Sequence, residues 1–196
     1  MALSAIPLPD GDLAFDPTWL DAGPADALFA ALSAGIAWQV HRIRMFGREV
    51  DSPRRSCWIG DPGASYRYSG TRFEPHPWPT VLLTLRVRLR AELGVDFNSV
   101  LANLYRDGGD RMGWHSDDEP ELGPRPCIAS VSLGATRRFL LKRRDGGGRL
   151  TLELPHGSLL LMRGDTQRRY RHALARTTRP VGPRINLTFR RIAIGG

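Results

Sequence analysis

With 196 residues, 41% of them hydrophobic, the chain is long enough for one packed domain with an extension and too apolar to remain disordered. Its 28 lysines and arginines against 20 acids give a net charge of +8, which favours a polyanionic partner through long-range attraction. Two cysteines without zinc-site spacing exclude a disulfide framework and read as reduced thiols. No stretch approaches the ~18 apolar residues of a membrane helix. Residues 1–11 show no basic start and no long apolar run, so the expected protein is not secreted. It is expected to be a monomer in the cytoplasm, or in the nucleus of a eukaryotic cell.

In chain order, residues 1–18 are punctuated by Pro and Asp and read as an arm over the surface. Residues 25–34 carry Leu28, Phe29 and Leu32 at helical spacing. Residues 38–45 alternate as a strand would, and Phe46-Gly47 opens a turn. Residues 48–63 are basic and loop-rich, and 66–73 read as another strand. Residues 79–93 predict a second helix with Pro79 at its start and a buried stripe of Leu82, Leu85 and Leu89. From Ser99 the pattern changes to seven short strands, over 100–105, 128–133, 138–142, 150–154, 158–162, 170–173 and 184–192. Gly, Pro and Asp turns separate them, which points to a sandwich or jelly roll. The three glycines within 143–149 make a hairpin tip. The expectation is therefore a single domain over 1–196, mainly β with flanking helices. An N-terminal extension over 1–97 would recognise nucleotides, and a catalytic core over 98–196 would form a double-stranded β-helix.

The chemistry concentrates in His115-Ser116-Asp117 and in His172. In an extended segment His115 and Asp117 share a face. Two imidazoles and one carboxylate can occupy one face of an octahedral iron(II) and leave three positions for reactants. His156 competes with His172 for the third place. It sits at a turn into a strand, whereas His172 lies inside a β-like stretch and precedes a strand with two arginines by 12 residues. In that strand Arg184, Asn186, Thr188 and Arg190 face one way and Ile185, Leu187 and Phe189 the other. Such arginines beside a metal would hold a dianionic co-substrate. Asn103 and Tyr105 also share a strand face and offer an amide and a phenol to a carboxylate. His41 and His76 read as ordinary surface or hydrogen-bonded residues.

Taken together, Asn103-x-Tyr105, His115-x-Asp117, His172 and Arg184-x-Asn186-x-Thr188-x-Arg190 resemble the signature of AlkB-type iron(II)/2-oxoglutarate dioxygenases. The resemblance runs from about Trp38 to Ile192 and is closest to the mammalian branch that repairs methylated bases in duplex DNA. It implies that His115, Asp117 and His172 bind iron(II). It further implies that Arg184, assisted by Tyr105, pairs with the far carboxylate of 2-oxoglutarate, and that Arg190 and Asn103 hold the near one. Asn186 and Thr188 complete that face. The implied reaction consumes 2-oxoglutarate and O2, yields succinate and carbon dioxide, and hydroxylates an N-methyl group that then leaves as formaldehyde.

Met45-Phe46-Gly47 resembles the hairpin tip whose apolar residue fills the gap left by a flipped base. Tyr66-x-Tyr68-Ser69-Gly70 resembles the strand that cradles that base, with Tyr68 and His115 on its two sides. Arg54 joins the same substrate group. Asp118 and Glu119 would favour a cationic base such as 1-methyladenine or 3-methylcytosine; they equally read as a solvated turn. The tip at 143–149 is short, the segment 176–179 is less basic than in the duplex-repairing branch, and a tyrosine stands at 68. Single-stranded DNA, or RNA, is accordingly expected as a substrate alongside duplex. Two other readings stand beside this one: a 2-oxoglutarate oxygenase acting on protein or modified tRNA, and a non-catalytic nucleic-acid-binding module.

Overall fold

The computed structural model describes residues 3–45, 48–68 and 71–193, with the side chains of 43–49 and 66–73 outside that description. In chain order the first elements are β1 (Ser4–Ile6), β2 (Asp12–Asp16), α1 (Ala22–Gly35), β3 (Arg42–Met45), β4 (Arg48–Asp51), β5 (Arg55–Gly60), β6 (Tyr66–Tyr68), β7 (Thr71–Phe73) and α2 (Thr80–Leu93). They are followed by β8 (Ser99–Tyr105), β9 (Met112–His115), β10 (Ile128–Gly134), β11 (Arg137–Arg143), β12 (Arg149–Leu154), β13 (Ser158–Arg163), α3 (Thr166–Arg169), β14 (Tyr170–Leu174) and β15 (Arg184–Arg190).

Strands β8 to β15 form two antiparallel four-stranded layers, β13-β10-β15-β8 and β12-β11-β14-β9. Apart from the β11–β12 hairpin, each strand of this set lies in the opposite layer from its predecessor. That is the expected jelly roll. The first layer is widened to seven strands by β1 and β2 beside β13 and by β5 beside β8. Residues from both sides of position 97 therefore share one sheet. We call the seven-stranded sheet major and the four-stranded sheet minor.

The alternation along each major-sheet strand divides the core in two. Ala129, Val131 and Leu133 of β10, Leu159 and Leu161 of β13, and Ile185, Leu187 and Phe189 of β15 face outward and pack with the helices. The stripe Leu82, Leu85 and Leu89 of α2 is buried there at 0%, 5% and 0% exposure, as the spacing predicts. This helix starts at Pro79 and stops at Gly94, whose φ of 66° closes the last turn onto the Arg90 carbonyl. On α1 the buried positions are Ala25 and Leu32, with Leu28 and Phe29 partly covered. Between the two sheets, one end is filled by Leu13, Ile128, Leu141, Leu154 and Leu160 with Tyr170. The other end keeps a polar chamber.

Four expectations need correction. The N-terminal arm is not loose over the surface, because Leu13, Ala14 and Asp16 of β2 are buried in register with β13. Residues 48–63 are not all loop: β5 is buried along almost its whole length beside β8. The strand expected over 38–45 begins only at Arg42, with an isolated bridge from Gln39 to Ser56 before it. The single strand expected over 66–73 is two paired strands, Tyr66 opposite Phe73. An eighth core strand, β9, was not anticipated as an element. Among the described residues no helix is long and apolar enough to cross a membrane.

Candidate active site

β9 and β14 are neighbours in the minor sheet, and His115 and His172 are direct cross-strand partners. Their rings meet edge to face with centroids 4.2 Å apart. The register shifts after this pair, and the chain beyond β9 brings Asp117 to the same point. One ligand atom from each of His115, Asp117 and His172 lies within 4.8 Å of the others. His156, the alternative ligand, is elsewhere. Its Nδ1 accepts from the Gly134 N–H at 2.8 Å and its Nε2 lies 3.2 Å from Asp26 Oδ1.

Neighbouring groups set the orientation and charge of each ligand. The Nδ1 of His115 lies 2.8 Å from the Gly113 carbonyl. A carbonyl only accepts, so the proton sits on Nδ1 and the Nε2 lone pair is left for a metal. Burial, reinforced by His115, brings His172 down to about 3, against the opposing effect of Asp117. It is thus neutral, as a metal ligand must be. Burial alone would raise the Asp117 carboxyl, but the Arg190 charge foremost, with the neighbouring imidazoles of His172 and His115, brings it to about 2. Arg190 Nη2 donates to Asp117 Oδ1 at 2.8 Å, with both side chains 3% exposed. The Asp117 N–H donates to Oε1 of Gln167 at 3.0 Å, and Gln167 is itself 2% exposed.

The second wall of the chamber is the β8–β15 ladder. Tyr105 is opposite Arg184, Asn103 opposite Asn186, and Leu101 opposite Thr188. All six line the chamber together with the triad, Ser130, Phe139 and Arg190. The guanidinium of Arg184 stands 5.4 Å from the Tyr105 ring centre and donates from Nη2 to Ser132 Oγ at 2.9 Å. Its Nε is buried without a hydrogen-bond partner. Burial lowers Arg184 to about 10, against the opposing effect of Tyr105. An orphan donor on a buried cation fits an anion with a carboxylate end. Asn186 is held by Ser130 Oγ at 2.8 Å and accepts from Thr188 Oγ1 at 3.1 Å.

Arg54 is 5% exposed behind this wall, where its Nε donates to Asn103 Oδ1 at 2.7 Å and its Nη1 to Ser52 Oγ at 3.0 Å. Asp118 is exposed and paired with Arg144, and Glu119 is half-buried on the same loop. Phe46 and Ser69 lie outside the described residues. Tyr66 and Tyr68 are placed as backbone in β6, with their side chains outside the description. Sequence reasoning missed Gln167, Ser132 and Arg137. The last is 3% exposed and donates to the carbonyls of Asp107, Asp110 and Ala175. It also places its guanidinium 6.0 Å from the Tyr105 ring, so Tyr105 has an arginine on each flank.

The donor set fits iron(II): two neutral imidazoles and one carboxylate, with the rest of the coordination sphere open to the chamber. Comparison with known proteins agrees. The sequence profile of the 2OG-Fe(II) oxygenase superfamily matches residues 12–190. The chain is 39% identical over 179 residues to mouse "DNA oxidative demethylase ALKBH2", covering 86% of this chain and 75% of that protein. It is 39% identical over 186 residues to bovine "Alpha-ketoglutarate-dependent dioxygenase alkB homolog 3", covering 90% of this chain and 64% of the relative. The solved structure of OsALKBH1 superposes with a TM-score of 0.63 at 18% identity, over 96% of this chain and all of that one, a likeness of fold.

Proposed function

This chain belongs to the 2OG-Fe(II) oxygenase superfamily, and on that premise we propose that it oxidatively demethylates N-alkylated nucleobases in DNA. The observation that carries the reading is the meeting, in one chamber, of the His115–Asp117–His172 triad with the orphan Nε of Arg184. His115, Asp117 and His172 would hold iron(II). When bound, the iron supplies the activation of O2 that couples conversion of 2-oxoglutarate to succinate and carbon dioxide with hydroxylation of an N-methyl group. The hydroxymethyl product loses formaldehyde and, from a cationic base, a proton, which leaves the unmodified base.

The protein's part is positioning. The planar fork of Arg184 engages the far carboxylate of 2-oxoglutarate with two donors, and Tyr105 is beside it to add a third. Asn103 has its carbonyl oxygen committed to Arg54, which leaves its amide nitrogen to face the carboxylate nearer the metal. Arg190 serves both sides of the site. It keeps Asp117 ionised and stands at the near end of the same face of β15. Asp118 and Glu119 follow the triad directly and would favour a cationic base such as 1-methyladenine or 3-methylcytosine. Phe46 is proposed to fill the base stack when the substrate is duplex, and the net charge of +8 to hold the phosphates. RNA, a monomeric state and a cytoplasmic or nuclear location belong to the same proposal.

The test is mass spectrometry of oligonucleotides carrying 1-methyladenine or 3-methylcytosine, single-stranded and duplex, after incubation with iron(II), ascorbate and 2-oxoglutarate. Loss of the methyl group with stoichiometric formaldehyde and succinate supports the reading. Hydroxylation of peptides with every methylated oligonucleotide left intact would refute it.

A further inference from the structure

The minor sheet has a second face, turned away from the chamber. On it Lys142 of β11 is opposed in direct register by Arg149 of β12 and by Arg171 of β14. Three cations thus stand in one row across three adjacent strands, a span of about 10 Å. Like charges directly opposite one another destabilise a sheet. Among the described residues no acidic side chain pairs with any of the three. The acid on that face, Glu153, stands opposite Arg138. Beside the row, on β9, Trp114 is 40% exposed and has Lys142 Nζ 4.3 Å from its ring centre. Trp114 adjoins His115 in sequence. One side chain lines the chamber, and the other lies outside on the same strand.

A half-exposed indole beside a row of cations that lack an acidic partner has the two elements that bind unpaired nucleic acid: a flat ring on which a base can stack in place of the Lys142 ammonium, and positive charge along the phosphates. A duplex offers the charge contact alone, because its bases already stack on each other. We propose that Trp114 with the Arg149–Lys142–Arg171 row binds a single-stranded nucleic acid, specifically the nucleotides that flank the base held in the chamber. The bound phosphates cancel the repulsion that the fold otherwise carries in this row. The proposal rests on the demethylase reading for where the bound strand leads, and not for whether it binds.

The experiment is fluorescence anisotropy of labelled, unmethylated oligo(dT) with the whole chain, titrated at several salt concentrations. Trp114→Ala should weaken binding about tenfold and Trp114→Phe should restore most of it, since any aromatic face supports stacking. Lys142→Ser, Arg149→Ser and Arg171→Ser should each flatten the slope of log affinity against log salt by about 0.7. All three side chains lie on the face turned away from the triad, and Arg149 adjoins neither histidine ligand in sequence, so its variant separates the charge effect from any disturbance of the chamber. An unchanged salt slope in all three overturns the proposal. So does equal affinity of Trp114→Ala and wild type, or tighter binding of duplex DNA without dependence on Trp114. The probe has no methyl group and the assay no turnover. A chain that binds oligo(dT) through this face yet demethylates nothing would refute the demethylase reading and leave the face standing.

Discussion

Replacing Arg184 by methionine should move stability and co-substrate binding in opposite directions. The guanidinium is 2% exposed and lies at about 10 against an ordinary 12.5, with burial as the main cause. A difference of that size corresponds to about 3 kcal/mol against folding. The sign follows from the values: the charged form is disfavoured in the fold, so the penalty is fully present at any pH below about 10 and disappears only toward 12.5. Arg184→Met removes the buried charge and also the hydrogen bond to Ser132, worth about 1 kcal/mol. The net expectation is a gain of about 2 kcal/mol in the ligand-free chain, or roughly 4–8 °C in melting temperature. In wild type, 2-oxoglutarate at about 100 times its Kd should itself add about 2.7 kcal/mol, and in Arg184→Met that gain should be absent. Differential scanning fluorimetry with manganese(II) in place of iron, with and without 2-oxoglutarate, reads both. A variant that melts lower than wild type, or that still responds to 2-oxoglutarate, would refute the argument that this cation awaits an anion.

Asp117→Ala should abolish both manganese(II) binding by calorimetry and formaldehyde release; normal demethylation by that variant would remove Asp117 from the triad. His156→Ala should keep metal binding while losing about 1 kcal/mol in urea unfolding, because the Gly134 N–H loses its acceptor. In the metal-free chain His172 stays neutral to about 3 while the unfolded chain protonates near 6.5, so stability falls as pH drops through that window. Between about pH 7 and about pH 5 wild type should lose about 2 kcal/mol more than His172→Gln, and parallel urea midpoints in the two proteins would count against it. Arg137→Met leaves the carbonyls of Asp107, Asp110 and Ala175 without their donor, at a cost of about 3 kcal/mol or roughly 6–12 °C. A melting temperature within a degree or so of wild type would show that water replaces the guanidinium.

Elements whose two faces differ were legible in the sequence. β15 alternates arginine, amide and hydroxyl with Ile185, Leu187 and Phe189, and both of its faces have the surroundings that pattern requires. α2 was equally plain, because Leu82, Leu85 and Leu89 are buried and proline and glycine mark its ends. β5 was hidden for the opposite reason. Ser56, Cys57, Trp58 and Ile59 are all buried, so no alternation survives, and the preceding Pro53 and Arg54 read as loop. β9 is four residues long and includes Gly113, with its place set by pairing to β14 rather than by its own preferences. Arg137 beside Arg138 looks like a surface pair until β11 is seen to bury one and expose the other. Gln167 left no local signal, because its partner is the backbone of Asp117, 50 positions away.

The pairing of β2 with β13 bears on how the chain comes into being. Asp12 is opposite Arg163, and Phe15 is opposite Leu160. During synthesis β2 must wait for a partner 151 positions further along the chain, and contacts of such long range form slowly. Until β2 arrives, β13 presents an open edge with Leu159, Leu160 and Leu161 along it, a template for pairing with another copy. The N-terminal hairpin therefore acts as a guard against self-association in the newly made chain. A variant lacking residues 1–16 would retain every residue of the chamber and still be expected to aggregate as it folds.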